Sequence, residues 1–464
     1  MFVRILLFVL VPALLFGQVS QSSPTNADLL KQIQNMSAVI QKLQHRVDEL
    51  EARLGPAPSA AAAPGETAPN LQPSEAALPA SERTAPAELI GSNFLRGTSI
   101  SAVIDMYYGY NFNDPIGRVN RLRAYDVLSN AFSLNQATVV VDNEPDTDHD
   151  KRWGARLDLQ FGQATETLQG NAANELRPEV YRNIFQAYGI YVVPVGNGLT
   201  VNFGKWASSL GIEGNFTQDQ INYSRSFWFN FLPFYHTGAR MNYQLNKAIT
   251  LNYWLTNGTQ QTEPFNNFKD ELIGLAFQPN QNLSWTINYY LGQEHPDVTF
   301  LPNSTDPTLP TLQGEPFVPI QPSPKGKLHI IDTYGTWQAT KALTLALEAD
   351  YVVERLYTNS APAATWGGAG YARYQLSPRV AVAGRSEYLS DRGGLFSGTT
   401  QALKETTLTL EEKLLDNFLL REEWRRDFSN QPYFYTDVLG DLKREQNTAT
   451  LGVVWWFGPK KSPW

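Results

Sequence analysis

Apolar and polar residues alternate with period two along most of the chain from Thr98 onward. In Thr98–Asn113, Ile100, Ala102, Ile104, Met106, Tyr108, Tyr110 and Phe112 fall on one face. Ser101, Asp105, Gly109 and Asn111 fall on the other, with Val103 and Tyr107 among them. Such alternation is the signature of a strand with one apolar face. The run exceeds the ~5–6 residues of a globular strand and suits a tilted membrane-spanning strand, which needs ~9–11. Its aromatics gather at one end, where an interfacial girdle would lie.

The same device recurs. Trp153, Ala155, Leu157, Leu159 and Phe161 form one apolar set, and Ala239, Met241, Tyr243 and Leu245 another. Further sets are Leu283, Trp285, Ile287, Tyr289 and Leu291, then Leu343, Leu345, Leu347, Ala349 and Tyr351. The last is Ala449, Leu451, Val453, Trp455 and Phe457.

The connections carry as much information as the strands. Short ones fall at 194–198, 246–248, 279–282, 340–342, 377–379 and 415–417, with 142–152 an intermediate member of that series. Long ones fall near 113–131, 162–183, 206–235, 257–269, 292–327, 354–365, 390–402 and 427–447. Regular alternation of short turns with long loops predicts an antiparallel transmembrane barrel of about 16 strands over residues 98–464, with both termini on the short-turn, periplasmic side. A soluble all-β sandwich also alternates apolar and polar residues, but does not require alternating loop lengths or aromatics at strand ends.

Upstream, Met1–Arg4 is a short basic segment and Ile5–Phe16 an apolar run of signal-peptide length, so residues 1–22 read as an export signal, with Gly17 and Ser22 as candidate ends. Leu29, Ile33, Met36, Ile40, Leu43, Val47, Leu50 and Leu54 are then spaced alternately by four and three residues. That seam predicts a coiled-coil oligomerisation helix over 26–54; the alternative is one amphipathic helix packed on its own protein. Residues 55–97 are rich in Ala and Pro and read as an extended periplasmic linker.

Composition narrows the function. The net charge of −8 argues against nucleic acid as a partner. The absence of cysteine excludes disulfides, thiolate metal sites and catalytic thiols. No zincin or nucleophile-elbow motif occurs, and the residues call for no cofactor and show no metal-ligand spacing. His236 near Ser224 and Ser226 is the one arrangement that invites a hydrolase reading, and a structural histidine at a strand start is the simpler one.

The polar half of each strand should face a water-filled lumen. Its charged members are Asp105, Arg156, Asp158, Arg240, Glu348, Asp350, Arg373, Arg385, Glu387, Arg421, Glu423 and Arg425. These are candidate pore-lining residues of both signs, so ion preference should be weak; alternatively they pair with one another and only line the wall. The third long segment, 206–235, contains Trp206, Phe216, Tyr223, Arg225, Phe227 and Trp228. So aromatic a loop is unsuited to open water. It could fold inward as a constriction, pack at a subunit contact, or form an extra strand pair. The Pro-rich 300–326 stretch reads as a mobile outer loop.

Several segments resemble the OmpL-like β-barrel porin family of Gram-negative bacteria: Asp105–Asn113 (DMYYGYNFN), Phe132–Ala137 (FSLNQA), Arg156–Asp158 (RLD), Asn222–Ser226 (NYSRS) and His236–Arg240 (HTGAR). The resemblance spans roughly 98–464 and implies a passive outer-membrane channel embedded in outer-membrane lipid and passing small hydrophilic solutes. By likeness to porins it favours a homotrimer. The rival reading is a structural anchor with a plugged barrel, whose coil contacts the cell wall. One departure is that Phe457 ends the last strand pattern, leaving Trp464 beyond it.

Overall fold

The computed structural model describes residues 97–169, 175–312 and 314–459. The export signal, the coil, all but the last residue of the linker, and Trp464 lie outside the described residues.

Sixteen antiparallel strands close into one barrel. They are β1 (Thr98–Asn111), β2 (Ala131–Asn143), β3 (Trp153–Phe161), β4 (Ile184–Val193), β5 (Leu199–Ala207), β6 (Tyr235–Gln244), β7 (Ile249–Thr256) and β8 (Asp270–Asn280). After β9 (Leu283–Gly292) come β10 (Leu328–Gln338), β11 (Leu343–Glu354), β12 (Ala363–Ser377), β13 (Val380–Arg392), β14 (Gln401–Leu415), β15 (Phe418–Ser429) and β16 (Glu445–Phe457). Each strand pairs with its sequence neighbour, and β16 closes on β1 from Ala102↔Phe457 to Asn111↔Thr448. Closure leaves no strand edge unpaired, which a lipid environment demands because no water is there to satisfy backbone groups.

The expected faces are the observed ones. Phe132, Phe203, Ile273, Leu347 and Leu408 are 57–86% exposed on the outer surface. Trp153, Trp285, Trp337, Tyr374 and Trp455 ring the short-turn end of that surface, and Phe132, Tyr289, Tyr351 and Trp366 ring the other. Apolar side chains facing outward between two aromatic belts are what a bilayer's hydrocarbon layer selects.

Loop lengths alternate as expected, with two refinements. Trp206 and Tyr235 belong to β5 and β6 rather than to the loop between them, because the β5–β6 ladder continues to Ala207↔Tyr235. The 300–326 stretch was read as a mobile loop, but with the residues just before it, it forms a small three-stranded sheet from Val298–Phe300, Thr311–Leu312 and Glu315–Pro319. Its strands are too short, and too rich in proline, to stand out by alternation.

Candidate functional site: the filled lumen

The segment between β5 and β6, residues 208–234, folds into the barrel. Phe216, Tyr223, Phe227 and Trp228 are 0–1% exposed and Arg225 is 1% exposed. The loop gains a fixed path because wall side chains satisfy its backbone. Glu423 accepts from the backbone N–H of Tyr223 (2.7 Å) and of Ser224 (3.0 Å). Glu387 accepts from the N–H of Phe227 at 2.9 and 3.0 Å. Arg421 donates to the carbonyls of Thr217 (2.7 Å), Gln220 (2.6 Å) and Asn222 (3.1 Å). Buried backbone groups must find partners, and here charged wall residues supply them.

Arg385 is the centre of this seam. It donates to Glu213 (2.8 Å) and the Ser224 carbonyl (2.7 Å) on the loop, and to Glu405 (3.0 Å) on β14. Arg425 bridges Asp427 at 2.7 Å and reaches the Arg225 carbonyl. On the far side of the strand closure, Asp105 accepts from Thr217 (2.6 Å), Tyr223 (2.8 Å) and Asn135 (2.8 Å). Burial, with Asp105 adding to it, holds the Tyr223 hydroxyl well above its ordinary pKa, so it remains a donor.

The first long loop packs over this seam. Arg123 joins Asp427 at 2.7 Å and Thr448 at 3.0 Å, and also pairs with Asp126. Tyr125 donates to the Asn215 carbonyl at 2.6 Å, meets Phe229 edge-on, and lies 4.2 Å below the Arg225 guanidinium. Elsewhere in the lumen the contact is apolar: Trp206 and Trp254 meet edge-on at 6.0 Å, and Leu210, Trp228 and Leu232 join Leu272, Tyr290 and Ile330 in one buried cluster.

All twelve charged wall residues expected from the sequence point inward, and the loops cover most of them. Eleven are 6% exposed or less; the Arg373 side chain, paired with Glu411 at 2.6 Å, is 26% exposed. Asp105, Glu348, Arg385, Glu387, Arg421, Glu423 and Arg425 converge on the inward loop. Arg156 and Asp158 pair with each other at 2.8 Å, and Arg240 lies near the Trp206 and Tyr188 rings. Asp350 belongs to a carboxylate group with Asp332 and Glu348. Glu213, Asp332, Glu405, Glu411 and Asp427 complete these networks and are absent from the sequence-based set. For the four on strands the inward position is readable from period two, as in Leu328, Ile330 and Asp332, whereas Glu213 lies on the loop and the partners of all five are not readable.

The uncovered part of the wall is different in chemistry. Towards the short-turn end, inward positions on β5 to β11 that remain partly exposed include Thr200, Asn242, Thr250, Asn252, Ser284, Thr286, Thr336 and Thr344, with Gln244, Gln278 and Gln338 at the mouth. None is charged. On these same strands the inward charges Arg240, Asp270, Asp332, Glu348 and Asp350 are buried nearer the long loops, so the lumen wall carries charge where the loops pack and a neutral hydrogen-bonding zone towards the short-turn end.

His236 contacts Ser208 at 3.1 Å and the Gly258 carbonyl at 3.3 Å, not Ser224 or Ser226. Ser224 accepts from Arg385, and Ser226 caps the short helix Phe227–Phe231 by accepting from Phe229 N–H at 2.9 Å. Among the described residues no carboxylate orients the histidine, which is fully buried.

A closed sixteen-stranded barrel with an apolar exterior, two aromatic belts and a long loop folded into a polar lumen is the architecture of outer-membrane porins. The family model "Putative beta-barrel porin-2, OmpL-like" matches residues 97–457, and the chain belongs to that family of outer-membrane barrels. Among solved structures, it is similar to an anion-selective porin from Comamonas acidovorans, at 9% identity over 78% of this chain and 99% of that one, with a TM-score of 0.50. It is also similar to the outer membrane channel DcaP of Acinetobacter baumannii, at 10% identity over 78% and 97% of the two chains, with a TM-score of 0.48. No curated protein matches the chain in sequence. At such identities the likeness concerns the fold alone.

Proposed function

We propose that this protein is a passive channel for small hydrophilic solutes, constricted by its 208–234 loop. The observation that carries the reading is the divided wall. The loop is bound to charged wall residues and leaves the neutral zone of Thr200, Asn242, Asn252, Thr286 and Thr336 partly exposed towards the short-turn end. Solutes would be selected by size where the loop narrows the lumen. Ion preference would be weak, because the charged groups are paired or covered by the loop and the partly exposed inward positions carry Thr, Asn, Ser and Gln. In this reading both termini face the periplasm, the 293–327 loop faces outward, and the coil at 26–54 joins barrels into a homo-oligomer, a trimer by analogy with porins.

A second reading draws on the close packing of the loop: a plugged barrel that serves as an anchor, with the coil reaching the cell wall. Reconstitution in a planar bilayer separates the two. Discrete conductance steps with a reversal potential near zero in a salt gradient support the channel, and liposome swelling with a graded sugar series then gives its cut-off. A folded barrel that stays silent in both assays removes the channel and leaves the anchor.

A further inference from the structure

Asp332 on β10 and Glu348 and Asp350 on β11 present one carboxylate oxygen each, all within 4.8 Å of one another. Two oxygens that each lie ~2.4 Å from one cation are at most ~4.8 Å apart, which is the spacing of Ca²⁺ ligands. The three residues are 0–5% exposed, so ionised carboxylates here face each other without bulk water. Among the described residues no Lys, Arg or His pairs with any of them; Arg385 pairs instead with Glu213 and Glu405.

The hydrogen bonds of the group leave room for a ligand. Asp332 accepts from Gly211 N–H (3.0 Å) and Asn288 (2.7 Å), and Glu348 from Ile212 N–H (3.2 Å) and Tyr371 (3.2 Å). Asp350 is different: both of its oxygens are buried, no N–H or hydroxyl of the described residues donates to them, and its carboxyl faces that of Asp332 across the strand pair. An unsatisfied buried carboxylate is costly, and a cation satisfies it directly. Gly211 fits this contact, since it sits at φ +85° and a Cβ there would come within 2.9 Å of the Glu348 carboxylate.

We propose that Asp332, Glu348 and Asp350 bind a hard divalent cation of the Ca²⁺ type, which fastens the Gly211–Ile212 segment of the inward loop to β10 and β11. The ligand set is all oxygen, with no nitrogen or sulfur to favour a transition metal. Ca²⁺ takes protein oxygens in flexible geometry, whereas Mg²⁺ keeps several of its waters, and these three carboxylates are buried. The site is independent of the channel reading, since an anchor would need the loop fixed equally.

The test uses the full-length protein folded in detergent micelles and treated with a chelator. Tb³⁺ is added with excitation of tyrosine, because the Tyr371 hydroxyl is 3.2 Å from Glu348. We expect sensitised emission that Ca²⁺ displaces, and at least a tenfold weaker Ca²⁺ displacement in Asp350→Asn, with Glu348→Gln as a second variant should the first fail to fold. Far-ultraviolet circular dichroism establishes folding. Wild-type protein without Ca²⁺-displaceable emission, or a folded variant with wild-type displacement, overturns the proposal. In the first case the three carboxyls hold shared protons instead.

Discussion

Replacing Arg385 by methionine removes the guanidinium that joins the inward loop to the wall while keeping much of its volume. Three loop-facing bonds end: Glu213 at 2.8 Å, the Ser224 carbonyl at 2.7 Å and the Ser224 hydroxyl at 3.2 Å. Two wall bonds also end, to Glu405 at 3.0 Å and Thr407 at 3.3 Å. Arg385 is 2% exposed, so water does not replace it at once. Breaking one partner of a buried ion pair costs ~3–5 kcal/mol, chiefly because the opposing charge is left uncompensated. Glu405 keeps a weaker neighbour in Arg425 at 3.8 Å, whereas among the described residues Glu213 has no second ion pair. The loss therefore falls on the attachment of the loop more than on the barrel ladder. At 1.4 kcal/mol per decade it raises the population of the detached loop by about two to three and a half decades. Hydrogen exchange of the 213–227 amides should accelerate by that factor, while the β13–β15 amides stay protected. In a bilayer the variant should show larger and noisier steps than wild type. Unchanged exchange at 213–227 in a folded barrel would refute the reasoning.

Three further outcomes follow. Leu347→Arg places a charge on the lipid face, where the residue is 57% exposed, and should cost ~2–4 kcal/mol of barrel stability by denaturant unfolding in lipid; inward-facing Thr344→Arg should cost much less, and equal losses would reverse the face assignment. Glu263 is held below its ordinary carboxylate pKa by hydrogen bonds from Arg177 first and Tyr181 second, so this clasp between two long loops stabilises at neutral pH and is lost as pH falls through the depressed value; the melting difference between wild type and Glu263→Gln should vanish in acid, and a difference that persists there contradicts it. Replacing Ile40 and Val47 by Asp puts charge into the coil seam and should loosen the native oligomer without unfolding the barrel; unchanged cross-linking would move assembly to the barrel surface.

The strands were legible because lipid outside and polar contents inside impose period two on every one of them. Ile100 to Phe112 and Ala449 to Phe457 show it most clearly. The alternation of short and long connections followed from the same constraint, since a closed antiparallel barrel places all turns of one kind at one end. The loop 208–234 announced itself by its aromatics, because nine such side chains within 206–235 need cover. Its docking partners did not, since Glu423 and Arg385 are 200 and 161 residues away from their partners on the loop and meet them only through the barrel's closure. The charged wall residues were found one by one, but their near-complete cover depends on that docking. The neutral zone lies in the polar halves of β5 to β11, where Thr, Asn and Gln carry no charge that would set exposed positions apart from covered ones. The carboxylate group was hidden for a related reason: Glu348 and Asp350 are two apart on one strand, but Asp332 reaches them only through the Asp332↔Asp350 pairing.

The most direct test of the account is the conductance of the full-length protein beside a variant in which 216–231 is replaced by a short Gly/Ser turn. β5 and β6 keep their ladder in that variant, so the barrel should assemble. The account predicts discrete steps from wild type, larger steps from the variant, and entry of larger sugars into variant liposomes. Ion preference should move towards that of bulk electrolyte, as wall charges become screened over the ~8–10 Å Debye length. A silent wild-type barrel, or an assembled variant with unchanged conductance and sugar cut-off, would contradict it.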